Sequence, residues 1–384
     1  MWKANTTAEI DGDTWLINGR PTYTGRSYRN IKVEGLLLNS RMANAVFDDD
    51  NPLTRHLWSY PDTNSWDAKR NTAELVKMLP LYASHGLTAI NINIQGGSPL
   101  GYYRDNPVVL GELRTRIHSK YPDATDEDIW LGLSSVKLQP WKSSGFDGDG
   151  VLGPGTRERM ASVIESADTA GLLVCLGLFY FGQDNRLSDE NAVRRAVREV
   201  CSWILRQGYR NVIIEINNET DVPRYSHAIL RPNRVHELIS YACSIHHGGY
   251  RLLVGTSFTR REVPSVQVVD ASDFILLHGN GIDEPEKLKQ MVRSVRSVAS
   301  YRGQPVLFNE DDHFDFNDSS NNFVAALETG SGWGYFDPGF GAGGKMFYGD
   351  YENGYQNPPI NWSINTSRKK AFFELLQKIT GFSI

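Results

Sequence analysis

Short apolar runs alternate with amphipathic stretches along most of the chain. A continuous apolar run between turn residues is typical of a buried parallel strand, whereas apolar positions that recur every three to four residues indicate a helix. We therefore predict eight strands, near residues 35–42, 87–93, 172–181, 211–219, 252–258, 274–280, 305–310 and 332–336. Seven helices are predicted between and after them, near residues 72–85, 156–170, 189–206, 232–246, 285–300, 321–327 and 366–379.

Eight strands separated by helices predict an α/β fold, specifically a (β/α)8 TIM barrel. The gap after the fifth strand is short, which predicts a reduced or missing helix there. Ahead of the first strand, Asn18 and Gly19 separate two short β-rich runs within residues 15–23. Asn-Gly favours a type I′ hairpin because both of its residues take positive φ. We expect this hairpin to cap the bottom of the barrel.

Two long segments, 95–155 and 337–359, interrupt the alternation of strands and helices. Each follows a predicted strand, so each is expected to leave the barrel at the carboxyl ends of its strands. That face carries the active site in barrels of this type, and long loops are usually functional. Because no linker, repeat or low-complexity tract is evident, we expect residues 1–384 to form a single catalytic barrel domain.

The composition excludes several classes of partner. A formal net charge of −5 and a pI near 6.0 provide no basic surface for nucleic acid. No apolar run reaches the roughly 18 residues of a membrane span, and the N-terminus lacks the apolar core of a signal peptide. We therefore expect neither nucleic acid nor a membrane as a partner. A cytoplasmic location and secretion after removal of a leader both remain open, as does the oligomeric state.

Two carboxylates stand at the ends of apolar runs, Glu219 after NVIIEINN and Glu310 after PVLFN. Burying a carboxylate beside an apolar strand is costly unless the group has a partner or a catalytic role. Two such carboxylates at strand ends therefore indicate a catalytic role. Cleavage of a glycosidic bond needs such a pair, one carboxyl group to donate a proton and the other to attack the anomeric carbon. A separation of roughly 5–5.5 Å between them predicts retention of anomeric configuration.

These positions resemble those of the clan A glycoside hydrolases, especially the cellulase-like family 5. The family's E-x-x-N-E strand is matched by residues 215–219, and its P-V-x-x-x-E strand by residues 305–310. The opening INGRPTYTG is similar to the family's I-x-G-K-P hairpin, and Trp333 matches the Trp that is frequent at the eighth strand. The matches are spread over nearly the whole chain and fall on the fourth, seventh and eighth predicted strands.

The resemblance implies a retaining glycosidase in which Glu219 is the acid/base and Glu310 is the nucleophile. It implies a carbohydrate substrate, with a β-linkage assumed from the clan, and requires no cofactor and no metal. The chain departs from the family's pattern at Thr220, Asn280 and Asn309, where Pro, Tyr and Gly are usual. These departures indicate a divergent branch whose sugar specificity does not transfer.

Other side chains at predicted strand ends or in the first long segment are candidates for substrate binding. Asn218 is expected to hydrogen-bond the sugar 2-hydroxyl, Arg41 to lie beneath the nucleophile, and Trp333 to stack on a sugar ring. The structural alternatives are a surface arginine for Arg41 and a core aromatic for Trp333. The full set of predicted binding residues is Asn39, Arg41, Trp141, Tyr180, Asn218, His278, Asp311 and Trp333.

Three other functions are compatible with the same sequence. A transglycosylase would use the same two carboxylates with a sugar acceptor in place of water. A carbohydrate-binding barrel without catalysis is the second, and the presence of both carboxylates argues against it. The acidic run 309–315 suggests the third, a metal-dependent hydrolase, because clustered carboxylates suit hard cations. No second cluster of matching spacing accompanies that run.

Overall fold

The described residues form the predicted (β/α)8 barrel. The computed structural model describes residues 1–99, 141–339 and 351–382, with residues 115, 118, 119, 122 and 139 between them. The barrel strands are β1 (Leu38–Arg41), β2 (Ala89–Asn93), β3 (Leu173–Phe179), β4 (Val212–Asn217), β5 (Leu253–Gly255 and Ser257–Phe258), β6 (Ile275–His278), β7 (Val306–Asp311) and β8 (Gly332–Tyr335).

All barrel strands pair in parallel and in chain order, with β8 beside β1. Strand β5 is interrupted at Thr256. Its first part pairs with β4 and its second part pairs with β6, so the ring closes across this interruption. The carboxyl ends of all eight strands therefore meet on one face, which is where loops can bring functional side chains together.

A helix follows each barrel strand. The helices are α1 (Ala68–Ser84), α2 (Pro154–Ala170), α3 (Glu190–Gln207), α4 (Val235–Cys243), α5 (Val266–Ala271), α6 (Pro285–Arg296), α7 (Asn322–Glu328) and α8 (Ser367–Thr380). Short 3-10 turns lie at Arg55–Trp58, Asp184–Arg186 and Ala228–Leu230. In the part of the chain that the structure describes, no helix combines the length and apolar character needed to cross a bilayer.

The helix boundaries follow local capping chemistry. Helix α1 begins earlier than predicted because the Asp67 side chain accepts a hydrogen bond from the Arg70 N–H and caps the helix there. Helix α5, between β5 and β6, is the reduced helix predicted from the short gap, and Ser265 caps its first turn. Helix α4 is shorter at both ends than predicted, and it begins at Val235.

The N-terminal hairpin is confirmed and closes the bottom of the barrel. Thr14–Ile17 pairs antiparallel with Arg20–Pro21, and Ala8–Asp11 adds a third strand. Asn18 and Gly19 have φ of 55° and 70°, as a type I′ turn requires. Trp15 is 1% exposed and belongs to the cluster that fills the amino-terminal end of the barrel interior. A two-stranded ribbon follows, formed by Ser27–Tyr28 and Ile31–Lys32.

Side chains along the barrel strands alternate between the interior and the surrounding helices. Leu173, Ile213, Leu276 and Leu307 pack together with Trp15 in the lower interior. Towards the carboxyl ends the interior becomes polar. There Asn39, Arg41 and Glu215 replace the apolar side chains and are all buried. The polar upper layer lies directly beneath the face that carries the candidate site.

Candidate active site

A cavity of about 290 Å³ opens at the carboxyl ends of the strands, and both predicted catalytic carboxylates line it. Glu219 and Glu310 enter from opposite sides of the barrel, just after β4 and on β7. The described ends of both long segments contribute as well, since Ser98 and Gln356 also line the cavity. Within segments 95–155 and 337–359, residues 100–138 (except 115, 118, 119 and 122), 140 and 340–350 lie outside the described part of the chain.

Glu310 faces the cavity because β7 contains a β-bulge. His278 pairs with Glu310, whereas the preceding Leu277 pairs with Phe308, so Asn309 is an extra residue on β7. Simple alternation from the inward-facing Leu307 would have turned Glu310 towards the helices. One extra residue resets the alternation and directs the carboxylate inwards, which is a recurrent role of bulges near active sites.

Glu310 is held by two nitrogen donors. Arg41 on β1 places its Nε against Glu310 Oε2 in a buried ion pair. Asn280, just after β6, donates from Nδ2 to Glu310 Oε1 at 2.7 Å. Burial lowers the pKa of the Arg41 guanidinium, but Glu310 together with Tyr180, Glu215 and Glu219 outweighs burial and raises that pKa above its usual value. The carboxylate is thus oriented by a permanent cation and a neutral amide.

Glu219 lies two residues beyond β4 in a backbone conformation that is uncommon for a non-glycine residue. Its φ is +50°, in the left-handed region, and its N–H donates to Ser257 Oγ on β5 at 2.8 Å. Such conformations persist where surrounding contacts impose them, often at active sites. The Glu219 side chain is 17% exposed and that of Glu310 is 6% exposed. Glu219 is therefore the carboxylate with readier access to water.

His278 lies between the two carboxylates at the end of β6. Its Nδ1 is 3.1 Å from Glu219 Oε1 and 3.3 Å from Glu310 Oε2. Burial lowers the pKa of His278, but Glu310 and Glu219 together raise it to about 9. The imidazole is therefore protonated near neutral pH and places a positive charge between the pair.

The distance between the carboxylates distinguishes two types of glycosidase. One oxygen of Glu219 and one of Glu310 lie within 4.8 Å of each other. This agrees with the roughly 5–5.5 Å between carboxyl groups in retaining enzymes. It is shorter than the roughly 6.5–9.5 Å between the carboxyl groups of inverting enzymes, where a water molecule fits between them.

Two more predicted binding residues lie at the same cavity. Asn218 Oδ1 accepts a hydrogen bond from Arg41 Nη2 at 2.8 Å, so Arg41 joins Asn218 to the nucleophile candidate. Tyr180 lines the cavity beyond β3, with its hydroxyl 3.1 Å from Ser98 Oγ. Of the predicted set, the structure thus brings Arg41, Tyr180, Asn218 and His278 together with the two carboxylates.

Trp333 does not face the cavity, and its predicted stacking on a sugar is wrong. It is 0% exposed and stacks on Phe323 of α7 with ring centroids 4.6 Å apart. The inner positions of β8 belong to Gly332 and Gly334, where a Cβ on Gly334 would come within 2.5 Å of the Asn39 side chain. Alternation along the strand therefore turns Trp333 outwards, towards the helices.

Asp311 is likewise not a binding residue. It follows the bulge, lies fully buried behind Glu310, and accepts a hydrogen bond from Trp333 Nε1 at 2.8 Å. Burial raises the pKa of Asp311 to about 8. Its side chain connects β7 to β8 on the helix side of the barrel, where a substrate cannot reach it.

Asn39 and Trp141 also lie outside the cavity lining. Asn39 is fully buried inside the barrel, where its Nδ2 donates to Asn91 Oδ1 at 2.8 Å and to the Asn309 carbonyl at 3.0 Å. Trp141 is 1% exposed and packs edge-on against Trp58 in a separate aromatic cluster. Neither residue is among those that line the cavity.

Sequence reasoning missed several cavity residues. Asn280 stands where the family usually has Tyr, and the substitution itself was the signal that this position faces the nucleophile. Gln356 accepts from Arg41 Nη1 at 3.4 Å and donates to the Ser98 carbonyl at 2.8 Å, which joins the two long segments. No local pattern marks Gln356, because its position depends on the path of the loop.

The acidic run 309–315 does not form a metal site. Asp311 is buried on the helix side, and His313 Nε2 lies 3.2 Å from Asp315 Oδ2. Among the described residues, only Glu219, His278 and Glu310 are spaced as metal ligands would be. The Arg41 guanidinium against Glu310 places a positive charge at that position, which disfavours a cation there.

Comparison with sequence models of protein families gives no match, and comparison with curated protein sequences gives none. Among solved structures, the chain is similar to a beta-glycosidase with a TM-score of 0.54 and 11% identity, covering 91% of this chain and 97% of the other. A glycoside hydrolase family 5 enzyme from Prevotella bryantii gives a TM-score of 0.52 and 9% identity, covering 90% and 96%. A beta-glucosidase from Thermotoga maritima gives 0.51 and 10%, covering 91% and 99%. The shared feature is the barrel fold.

Proposed function

We propose that this protein is a retaining glycoside hydrolase that cleaves a β-linked glycosidic bond by double displacement. The observation that carries the proposal is the pair Glu219 and Glu310. Their carboxylate oxygens lie within 4.8 Å of each other, in one cavity, at the carboxyl ends of barrel strands. This is the residue pair, the spacing and the face that the reaction requires.

In the first step Glu310 attacks the anomeric carbon while Glu219 protonates the leaving oxygen, which yields a glycosyl-enzyme and the free leaving group. In the second step Glu219 takes a proton from water, and the resulting nucleophile releases the sugar from Glu310. The greater exposure of Glu219 suits the group that must meet both the leaving group and water. Arg41 and Asn280 orient the attacking carboxylate throughout.

Asn218 provides a hydrogen-bond donor for the sugar itself. Its Oδ1 is engaged by Arg41, which leaves the amide Nδ2 available as a donor at the cavity. A donor beside the anomeric centre suits the sugar 2-hydroxyl, whose hydrogen bond strengthens towards the transition state. Two of the structural neighbours are a beta-glycosidase and a beta-glucosidase, which agrees with a β-linkage.

The test pairs two isosteric substitutions on activated aryl β-glycosides. Glu310→Gln should abolish glycosylation, because an amide cannot form the covalent intermediate. Glu219→Gln should retain a first step with good leaving groups, and azide should rescue the second step by attacking the glycosyl-enzyme without base assistance. Glu158→Gln, at a carboxylate that is 65% exposed on α2, is the matched control and should behave as the wild type.

Three results would count against the proposal. The first is activity in Glu310→Gln, and the second is no azide effect on Glu219→Gln. The third is a first-formed sugar of inverted anomeric configuration by NMR. Loss of activity in a chelator would instead favour a metal-dependent hydrolase. Addition of a sugar acceptor distinguishes transglycosylation, since a transglycosylase releases a lengthened glycoside in preference to the free sugar.

A further inference from the structure

The cavity continues beyond Glu219 into a cluster of three arginines. Arg224 lies on the loop after β4, and Arg260 and Arg261 lie on the loop after β5; all three line the cavity. Together with Arg41, the cavity wall carries four guanidinium groups and only two carboxylates, those of Glu219 and Glu310. This excess of positive charge lies in a chain whose formal net charge is −5. The local charge is therefore opposite in sign to that of the molecule.

None of these three arginines forms an ion pair with a carboxylate among the described residues. Arg224 is half-buried, with its guanidinium 5.4 Å from the centre of the Phe181 ring. Arg260 donates a hydrogen bond to the Gly281 carbonyl, which is a neutral partner. Arg234, by contrast, forms an ion pair with Glu190 at 2.9 Å. Within the described part of the chain, the charges of these three arginines therefore have no anionic partner.

We propose that the cavity takes a glycoside whose leaving-group portion carries an anionic group, a carboxylate or a sulfate ester. This inference rests on the proposed glycosidase function and adds the class of substrate to it. The shared chemistry of the two groups is a compact cluster of negative oxygens. A guanidinium matches that shape with two parallel N–H donors, and an aromatic face such as Phe181 holds the guanidinium plane in place.

The position of the three arginines indicates that the anionic group belongs to the leaving-group portion of the substrate. Glu219 protonates the leaving oxygen, so the wall next to Glu219 faces what lies beyond that oxygen. Arg224 shares the loop that follows Glu219, and that loop is tied to the β5 loop by Asp221 Oδ1, which accepts from the Thr259 N–H at 2.8 Å. The opposite wall, next to Glu310, is formed by Arg41, which is already engaged with that carboxylate.

The experiment measures kcat/KM on matched β-linked oligosaccharides with gluco, manno and galacto backbones. Each backbone is supplied in a neutral, a C6-carboxylated and an O-sulfated form. Within any backbone that is cleaved, an anionic form should exceed the neutral one. Arg224→Gln, Arg260→Gln and Arg261→Gln should each lower kcat/KM on the anionic form by about tenfold, and on the neutral form by much less. Raising salt from about 0.05 M to about 0.5 M should reduce the preference, because these charges are partly in water.

Arg20→Gln is the matched control, because Arg20 is exposed on the hairpin at the other end of the barrel and its loss changes the net charge equally. It should leave the preference intact, and melting temperatures report the folding of every variant. A preference for the carboxylated or the sulfated form identifies the source of the charge, and either supports the inference. Equal or better cleavage of the neutral form, or equal losses on neutral and anionic forms in the arginine variants, overturns it. Absence of cleavage of every form contradicts the proposed glycosidase function as well.

Discussion

Glu310 is positioned by side chains that reach it from separate parts of the barrel. Arg41 comes from β1, whereas His278 and Asn280 come from the end of β6. Each contact has a distinct consequence. Arg41 supplies a permanent charge, His278 supplies a charge that titrates, and Asn280 supplies a neutral hydrogen bond. The roles can therefore be separated by single substitutions.

Asn280→Ala should lower kcat by about one to two orders of magnitude. A hydrogen bond to a charged group contributes about 1.5–3 kcal/mol, and here it orients the attacking oxygen. Asn280→Asp keeps the size of the side chain but places a second carboxylate beside Glu310. Repulsion between the two should move the acidic limb of the pH profile upwards. Steady-state kinetics across pH measure both effects, and unchanged kcat in Asn280→Ala would remove Asn280 from the positioning of the nucleophile.

His278 should make stability depend on pH. Its pKa is 6.5 in the unfolded chain and about 9 in the folded protein, so the folded protein binds the proton more tightly. The stabilisation is complete below about pH 6.5 and is lost as pH rises through about 9. The free energy of unfolding should therefore fall across this interval. Urea unfolding at several pH values in the interval measures the slope.

His278→Gln is the control for this slope. The variant lacks the titrating group, so its free energy of unfolding should fall less steeply over the same interval. Asp311, whose pKa is raised to about 8 by burial, adds a decline of the same sign. Because Asp311 is present in both proteins, its contribution cancels in the difference between them. Equal slopes in the two proteins would contradict the protonated state assigned to His278.

At the scale of single strands, alternation and its interruption decide which side chains reach the cavity. The extra residue Asn309 in β7 turns Glu310 inwards and sends Asp311 towards the helices. On β8 the alternation is unbroken. Gly332 and Gly334 occupy the inner face, and Trp333 is left on the outer face. The bulge on β7 therefore directs Glu310 into the cavity, whereas regular alternation on β8 directs Trp333 away from it.

Trp333→Ala should destabilise the fold without a specific effect on substrate binding. Removing a fully buried Trp costs about 3–5 kcal/mol, through lost contacts with Phe323 and the cavity left behind. Trp333→Phe keeps an aromatic ring against Phe323 and should cost less. Urea unfolding measures stability, and KM on a small aryl glycoside measures binding. A raised KM with unchanged stability would show instead that Trp333 contacts the sugar.

At the scale of the whole molecule, the two ends of the barrel differ in polarity and in role. The amino-terminal end is apolar and is closed by Trp15 of the hairpin. The carboxyl-terminal end is polar and carries both candidate catalytic carboxylates. Because the apolar layer and the cavity lie at opposite ends of the barrel, a substitution in the apolar layer can change the stability of the fold without changing the groups that line the cavity.

Trp15→Ala tests this separation. Trp15 is 1% exposed and packs on Phe274 with ring centroids 5.2 Å apart, so its loss should cost about 3–5 kcal/mol. Well below the melting temperature, kcat/KM should stay close to that of the wild type, because the hairpin and the cavity lie at opposite ends of the barrel. Calorimetry and kinetics on the same preparation measure the two quantities. A large loss of kcat/KM in fully folded protein would show that the two ends are coupled.

The sequence by itself determined the elements and the location of the chemistry. Apolar runs and helical periodicity depend on neighbouring residues, so they predicted the eight strands, the reduced helix after β5 and the hairpin at Asn18-Gly19. The rule that parallel strands in a barrel end on one face then predicts that Glu219 and Glu310 lie close together. Both carboxylates do line one cavity.

Only the tertiary structure decided which other residues join them. The bulge at Asn309, the outward side of Trp333 and the burial of Asn39 depend on register with strands distant in the chain. The arginines beyond Glu219 meet because two loops run side by side, and no local pattern encodes that approach. Local propensity sets the elements, whereas side-chain direction and loop proximity are set by packing between residues far apart in sequence.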